Sequence, residues 1–156
     1  MMNFKQIILV LCMKDKEGQE VAKLLADSLS MLYASCKELV EYEVFDANAV
    51  IDKCGMEYFE EQEKKAIKHV SKYENCVIFV DYEYFFKGYD YFKENSTVVY
   101  LKLKKKDLSK ELDVVNLLAS EERNEELEKK SDFQVDFKHN ANKTVEEILK
   151  IFRREQ

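Results

Sequence analysis

A three-layer α/β fold, with helices covering both faces of a parallel sheet, is what the sequence predicts, and three observations predict it. Short continuous apolar runs alternate with longer amphipathic stretches along the chain, the mark of successive βαβ units. Its 156 residues suit one core, and no internal repeat or Gly/Ser-rich linker divides them, so residues 1–156 are read as one domain. A hydrophobic share of 46%, with 12% aromatic, is ample for folding even though 36% of residues are charged.

Gln6 to Cys12 reads as a buried strand, aliphatic and β-branched, as expected where both faces of a sheet are covered. Glu17 to Leu29 comes next as a helix with Val21, Leu24, Leu25 and Leu29 on one stripe. A short strand near Met31 to Ala34 leads into a helix over Lys37 to Glu43. A longer helix, Met56 to Tyr73, turns Phe59, Ala66, Ile67 and Val70 inward. Cys76 to Val80 and Thr97 to Leu103 are two further strands, with a helical segment from Asp81 to Glu94 between them. From Lys104 to Lys130 the apolar residues keep helical spacing amid dense charge, which predicts short helices and a loop around Asp113 to Asn116. Phe133 to Phe137 alternates as a last strand. Thr144 and Glu147 are spaced as a capping box, placing the final helix from Val145 to Arg154.

Several function classes are excluded by composition. A formal net charge of -6 opposes a phosphate-tracking surface, so no nucleic-acid partner is expected. The longest apolar run, Ile7 to Met13, is far short of the roughly 20 residues that span a bilayer, so no membrane role is expected. Lys5 ahead of that run imitates a secretion signal, but the charged stretch Lys14 to Glu17 comes directly after it with no small-residue cleavage site, and the chain is read as cytoplasmic. Cys12, Cys36, Cys54 and Cys76 are isolated, which fits reduced core thiols rather than a disulfide frame or a zinc site. His69 and His139 lie near no nucleophile or metal-ligand set and are read as surface residues; no metal is expected.

Val21 to Ala26 (VAKLLA), Glu57 to Glu63 (EYFEEQE), Asn75 to Val80 (NCVIFV), Val98 to Leu101 (VVYL) and Arg123 to Asp132 carry a family resemblance. In this order they resemble the shikimate kinases: their first helix, their "EAFRELE" helix, the strand before a triple-glycine turn, the strand after it, and the "RxPLYxEVAD" segment. The likeness runs nearly end to end. It implies a five-stranded parallel sheet of P-loop kinase topology with the active site at the carboxyl ends of the strands.

The resemblance also locates what this sequence lacks. A phosphate loop needs glycines, so that successive N–H groups point at one phosphate, and a Lys and Ser/Thr for charge and magnesium. At the matching positions, Cys12 to Glu20, the glycines become Cys12, Asp15 and Glu17, the lysine becomes Gly18, and the hydroxyl pair becomes Gln19 and Glu20. The family's two aspartates after the second strand are matched by Ala34 and Cys36, and the carboxylate-gripping arginine by Glu60. Asp81, Tyr82 and Glu83 stand at the triple-glycine turn, and the lid, Lys105 to Leu118, holds no arginine. Arg123 alone matches a ligand-binding position; an exposed helical Arg pairing with Glu122 or Glu126 is the plainer reading of it.

These departures predict a non-catalytic relative acting as a binding, regulatory or interaction module, without ATP, magnesium or shikimate. The alternative is an active small-molecule kinase using ATP and Mg, with an atypical phosphate site built from Lys14, Lys16 and the Lys102 to Lys106 cluster. Cys36, with Lys37 beside it, is a candidate reactive thiol. Tyr82, Tyr84, Phe85, Phe86, Tyr89, Tyr91 and Phe92 crowd one segment, where they either anchor a protein partner or fill the vacated cleft.

Overall fold

The computed structural model describes residues 6–11, 14–103, 114–137 and 140–154. The elements in chain order are β1 (Gln6–Leu11), α1 (Asp15–Leu29), β2 (Leu32–Ser35), α2 (Cys36–Glu43), α3 (Ala47–Cys54) and α4 (Met56–Val70). Then come β3 (Cys76–Asp81), α5 (Tyr82–Asn95), β4 (Thr97–Lys102), α6 (Val114–Lys130), β5 (Phe133–Asp136) and α7 (Ala141–Arg154). The strands form one sheet in the order β2-β3-β1-β4-β5, every neighbouring pair parallel.

Both faces of this sheet are buried, and β3 shows how the sequence arranges it. Successive side chains of a strand point to opposite faces. Val77 and Phe79 therefore join the cluster of Ile7, Leu25, Ile148 and Phe152, while Cys76, Ile78 and Val80 join that of Val40, Ile67, Phe85 and Phe92. Asp132 holds the start of β4, accepting the Val98 N–H at 2.7 Å while its own N–H donates to the Val98 carbonyl at 2.9 Å.

The helix starts explain how tightly strands turn into helices. β2 passes directly into α2, with the Ser35 hydroxyl accepting the Glu38 N–H. β3 passes directly into α5, with the Asp81 carboxylate accepting the Tyr84 N–H at 3.0 Å. Such side chains satisfy amides that a helix start leaves without intrahelical partners.

Several expectations are corrected. α3 is a helix that sequence periodicity does not reveal, because none of its residues is buried; Asp46 caps it, accepting the Ala49 N–H at 3.2 Å. Gly55, at φ 90°, separates α3 from α4 in a conformation that side chains disfavour. α4 ends at Val70 rather than at Tyr73. The final helix starts at Ala141, so Thr144 lies within its first turn: its hydroxyl donates to the Asn140 carbonyl at 2.9 Å, and Asn140 caps the Lys143 N–H instead. The expected loop around Asp113 to Asn116 is helical from Val114 on, and Lys104 to Asp113 lie outside the described residues.

Candidate ligand site at the carboxyl ends of the strands

Because all the strands are parallel, their carboxyl ends lie along one edge, with the starts of α1, α2 and α5 beside them. β1 and β3 are neighbours in register, Leu11 opposite Asp81, so the chain leaving β1 does so next to the start of α5. α1 starts at Asp15, and the Gly18 N–H donates to the Lys14 carbonyl at 3.2 Å, committing to the helix an amide from the segment matched to a phosphate loop. Asp15 and Glu17 lie in the first turn of α1, where carboxylates offset the positive end of the helix dipole. Cys12 and Met13, at the start of the expected loop, lie outside the described residues.

The Asp81 carboxyl is pushed up from its ordinary value, first by burial and then by the charges of Asp15 and Glu83; the Tyr84 N–H and Lys37 pull the other way. Carboxylates from α1 and α5 thus share one local field. Cys36, at the start of α2, is completely buried, and its thiol is pushed up to about 12 by that burial and by Asp81 and Glu63. Cys36 is thus the core thiol that its isolation in the sequence suggests, and its candidacy as a reactive thiol beside Lys37 falls to burial and acidic neighbours. Cys76 is buried too, whereas Cys54 is exposed, against the expectation of a core thiol; Cys12 lies outside the described residues. His69 is exposed as expected, with Nδ1 3.0 Å from a Glu43 carboxylate oxygen, and His139 lies outside the described residues.

Arg123 and the aromatic segment come together. The Arg123 guanidinium stacks over the Tyr82 ring, 4.4 Å from its centre, instead of standing as a plain solvent-facing ion-pair partner. Lys130 lies over Phe86 and Tyr89, at 5.2 and 4.8 Å, so α6 grips α5 through cation–π contacts. Phe85 is fully buried and packs edge-on against Tyr89, with centroids 5.6 Å apart. Tyr82, Tyr84, Phe86 and Tyr89 are each partly buried. Among the described residues the most exposed large apolar side chains lie elsewhere, led by Tyr42 and Phe45 at 84%.

Two cations that look available in the sequence are engaged. Lys102 Nζ is 2.6 Å from a Glu128 carboxylate oxygen, and this hydrogen bond raises the lysine's pKa. Lys87 Nζ is 2.7 Å from Oε1 of Glu63, a buried carboxylate that sequence reading does not single out. The Tyr100 hydroxyl donates to Asn124 Oδ1, tying α6 to the sheet beside Arg123. Among the described residues there is no group of His, Cys, Asp or Glu arranged to hold a metal, and no helix long and apolar enough to cross a membrane.

A profile of the family described as shikimate kinase matches residues 19–152 of the chain. No curated protein sequence matches it. Shikimate kinase from Aquifex aeolicus superposes with a TM-score of 0.69 at 21% identity, covering 92% of this chain and 94% of that one. Shikimate kinase from Acinetobacter baumannii, solved in complex with shikimate, gives 0.73 at 16% identity over 98% and 95% of the two chains. The enzyme from Bacteroides thetaiotaomicron gives 0.71 at 12% identity over 96% and 98%. At these identities the structural likeness is one of fold, and it agrees with the parallel β2-β3-β1-β4-β5 sheet.

Proposed function

The chain belongs to the shikimate kinase family, and we propose that it is a non-catalytic member, which keeps the kinase fold as a binding or regulatory module and does not hold ATP. One observation carries this reading. The edge where the fold would seat a nucleotide's phosphates is occupied by a helix start bearing Asp15 and Glu17, and the charge of Asp15 is felt at Asp81. Like charges about 4 Å apart repel by about 1 kcal/mol in water and about 4 kcal/mol near a protein surface, and a triphosphate brings several. Phosphoryl transfer depends on positioning and electrostatic stabilisation, and here Asp15 and Glu17 offset the charge of Lys14 and Lys16, leaving the segment without a net positive charge for a triphosphate.

Three further facts support the reading. The family match begins at Gln19, inside α1, and leaves Cys12 to Gly18, most of the segment matched to a phosphate loop, outside it. Lys102, one of the cations that an atypical phosphate site would need, is paired with Glu128. A phosphate loop is a nest of amides left open for the anion, whereas here the Gly18 amide is bonded within the helix.

Calorimetric titration of the full chain with Mg-ATP, then with shikimate, tests the proposal. No heat of binding is expected for either at millimolar ligand. Micromolar binding of Mg-ATP overturns it, and micromolar binding of both favours an active kinase with an atypical phosphate site.

A further inference from the structure

Adjoining the strand-end edge through Tyr84, whose N–H donates to Asp81, a cavity of about 360 Å³ opens between α2, α3, α4 and α5. Its apolar wall comes from Val40 and Val44 at α2, Ala47 at the start of α3 and Phe59 of α4. Its polar lining is acidic: Glu41, Asp46 and Glu63, with the phenol of Tyr84. The size falls within the range of small-molecule sites, which is roughly 300 to 1,000 Å³. Mixed lining of this kind orients a ligand by its charge and holds it by its stem.

The charge balance fixes the sign of that ligand. Glu63 is buried and already paired with Lys87, whose ammonium also lies 5.7 Å from the centre of the Tyr84 ring. That pair is neutral overall, so the net charge of the lining comes from Glu41 and Asp46, both exposed. Asp46 Oδ1 accepts the Ala49 N–H, which holds the carboxylate in place without neutralising it. The Tyr84 phenol is raised far above its ordinary value, first by burial and then by Glu63, Asp81, Glu41 and Cys36, so of the two exposed acids Glu41 is the one that acts on it. Phe59 and Tyr84 add aromatic lining.

We propose that this cavity binds a small organic cation, a primary amine on an apolar stem, with the stem against Val40, Val44 and Phe59 and the ammonium toward Glu41 and Asp46. A carboxylate of the same shape meets the like charges of Glu41 and Asp46. The inference gives a ligand class to the binding role proposed above, and it is tested apart from it, because amine and nucleotide are titrated separately.

The experiment is calorimetry on the full chain with phenethylamine and with 3-phenylpropionate, a carboxylate of nearly equal shape. Phenethylamine is expected to bind with a Kd below about 1 mM, which matches the binding energy that a ligand of its size can supply. Glu41→Gln and Asp46→Asn should each weaken it by about fivefold, the loss of one partly screened charge contact. Asn at position 46 keeps the acceptor that caps α3, and Glu41 is exposed, so both variants should fold. 3-Phenylpropionate should give no heat. Absence of phenethylamine binding, equal binding of the carboxylate, or amine binding indifferent to both variants would overturn the proposal. A parallel Mg-ATP titration separates the two ideas, since nucleotide binding alongside amine binding would sink the non-catalytic reading and leave this one standing.

Discussion

Two residues at neighbouring strand ends, Cys36 and Asp81, show what burial does to chemistry that sequence adjacency seems to promise. A lysine beside a cysteine lowers a thiol's pKa only if the ammonium reaches the sulfur's surroundings, and at Cys36 those surroundings are protein interior and acids. With its thiol pushed up to about 12, Cys36 has almost no thiolate near neutrality. Iodoacetamide at pH 8, followed by peptide mass mapping, should label exposed Cys54 in the folded protein and reach Cys36 and Cys76 only after denaturation. Asp81 is a carboxylate whose folded pKa is raised, so its protonated form is the one the fold prefers. Its contribution to stability is full below the ordinary value of 3.8 and is lost as pH rises through the folded value. Asp81→Asn keeps an acceptor for the Tyr84 N–H and stays neutral at every pH. It should therefore stabilise the protein at pH 7, by no more than about 1 kcal/mol because water screens a partly exposed group. The gain should vanish near pH 3.5. Urea unfolding at both values checks this, and a variant less stable than the parent at pH 7 would contradict it.

Among the elements, the contact of α4 with α5 is a close helix approach that a single residue controls. Gly88 of α5 is buried, and a Cβ there would run into Ile67 Cγ2 and come within 2.9 Å of Phe92 Cε2. Gly88→Ala gains up to about 1 kcal/mol of helix propensity but overpacks the contact, and overpacking costs about 1 to 3 kcal/mol. A net loss is expected, read as a lower urea midpoint. Adding Ile67→Ala removes the blocking methyl, so the double variant should cost less than the sum of the singles. How much of such architecture the sequence discloses depends on how an element is stabilised. β1 and β3 are legible because continuous apolar runs have no other use in a domain of this size, and α4 because Ala66, Ile67 and Val70 repeat at helical spacing. α3 is invisible to that reading, since none of its residues is fully buried and its limits are marked only by the Asp46 cap and Gly55. Thr144 misleads in a related way: a hydroxyl that could cap a helix also bonds back to a carbonyl four residues earlier, and spacing alone does not separate the two. The acids at the nucleotide edge are legible through the family resemblance, which assigns positions one at a time. The acidic cavity is not, because its lining is assembled from four helices and Glu63 carries no local signal of being buried.

For the molecule as a whole, the sheet acts as a partition between two packed layers that share only its strands. Ile148 of α7 belongs to the cluster with Ile7, Val77 and Phe79, and Ile67 of α4 to the cluster with Ile78, Val80 and Phe92 on the other face. A helix packed on each side of a sheet keeps these side chains well beyond the separation of about 7 to 10 Å within which substitutions couple. Ile67→Val and Ile148→Val each remove one methyl from a fully buried side chain, at an expected cost of about 0.5 to 1.5 kcal/mol. The double variant should cost their sum to within about 0.5 kcal/mol, in contrast to the strong coupling expected between Ile67 and Gly88 in direct contact. Cooperativity should nevertheless survive, because β3 and β1 lend alternate residues to both layers, and losing either layer exposes half of each strand. Urea unfolding followed by tyrosine fluorescence and by far-UV circular dichroism measures both quantities at once. Coincident transitions with additive losses are the expected result. Separated transitions would mean that one layer unfolds while the other keeps the sheet, and coupling above about 1 kcal/mol would mean that strain crosses the strands.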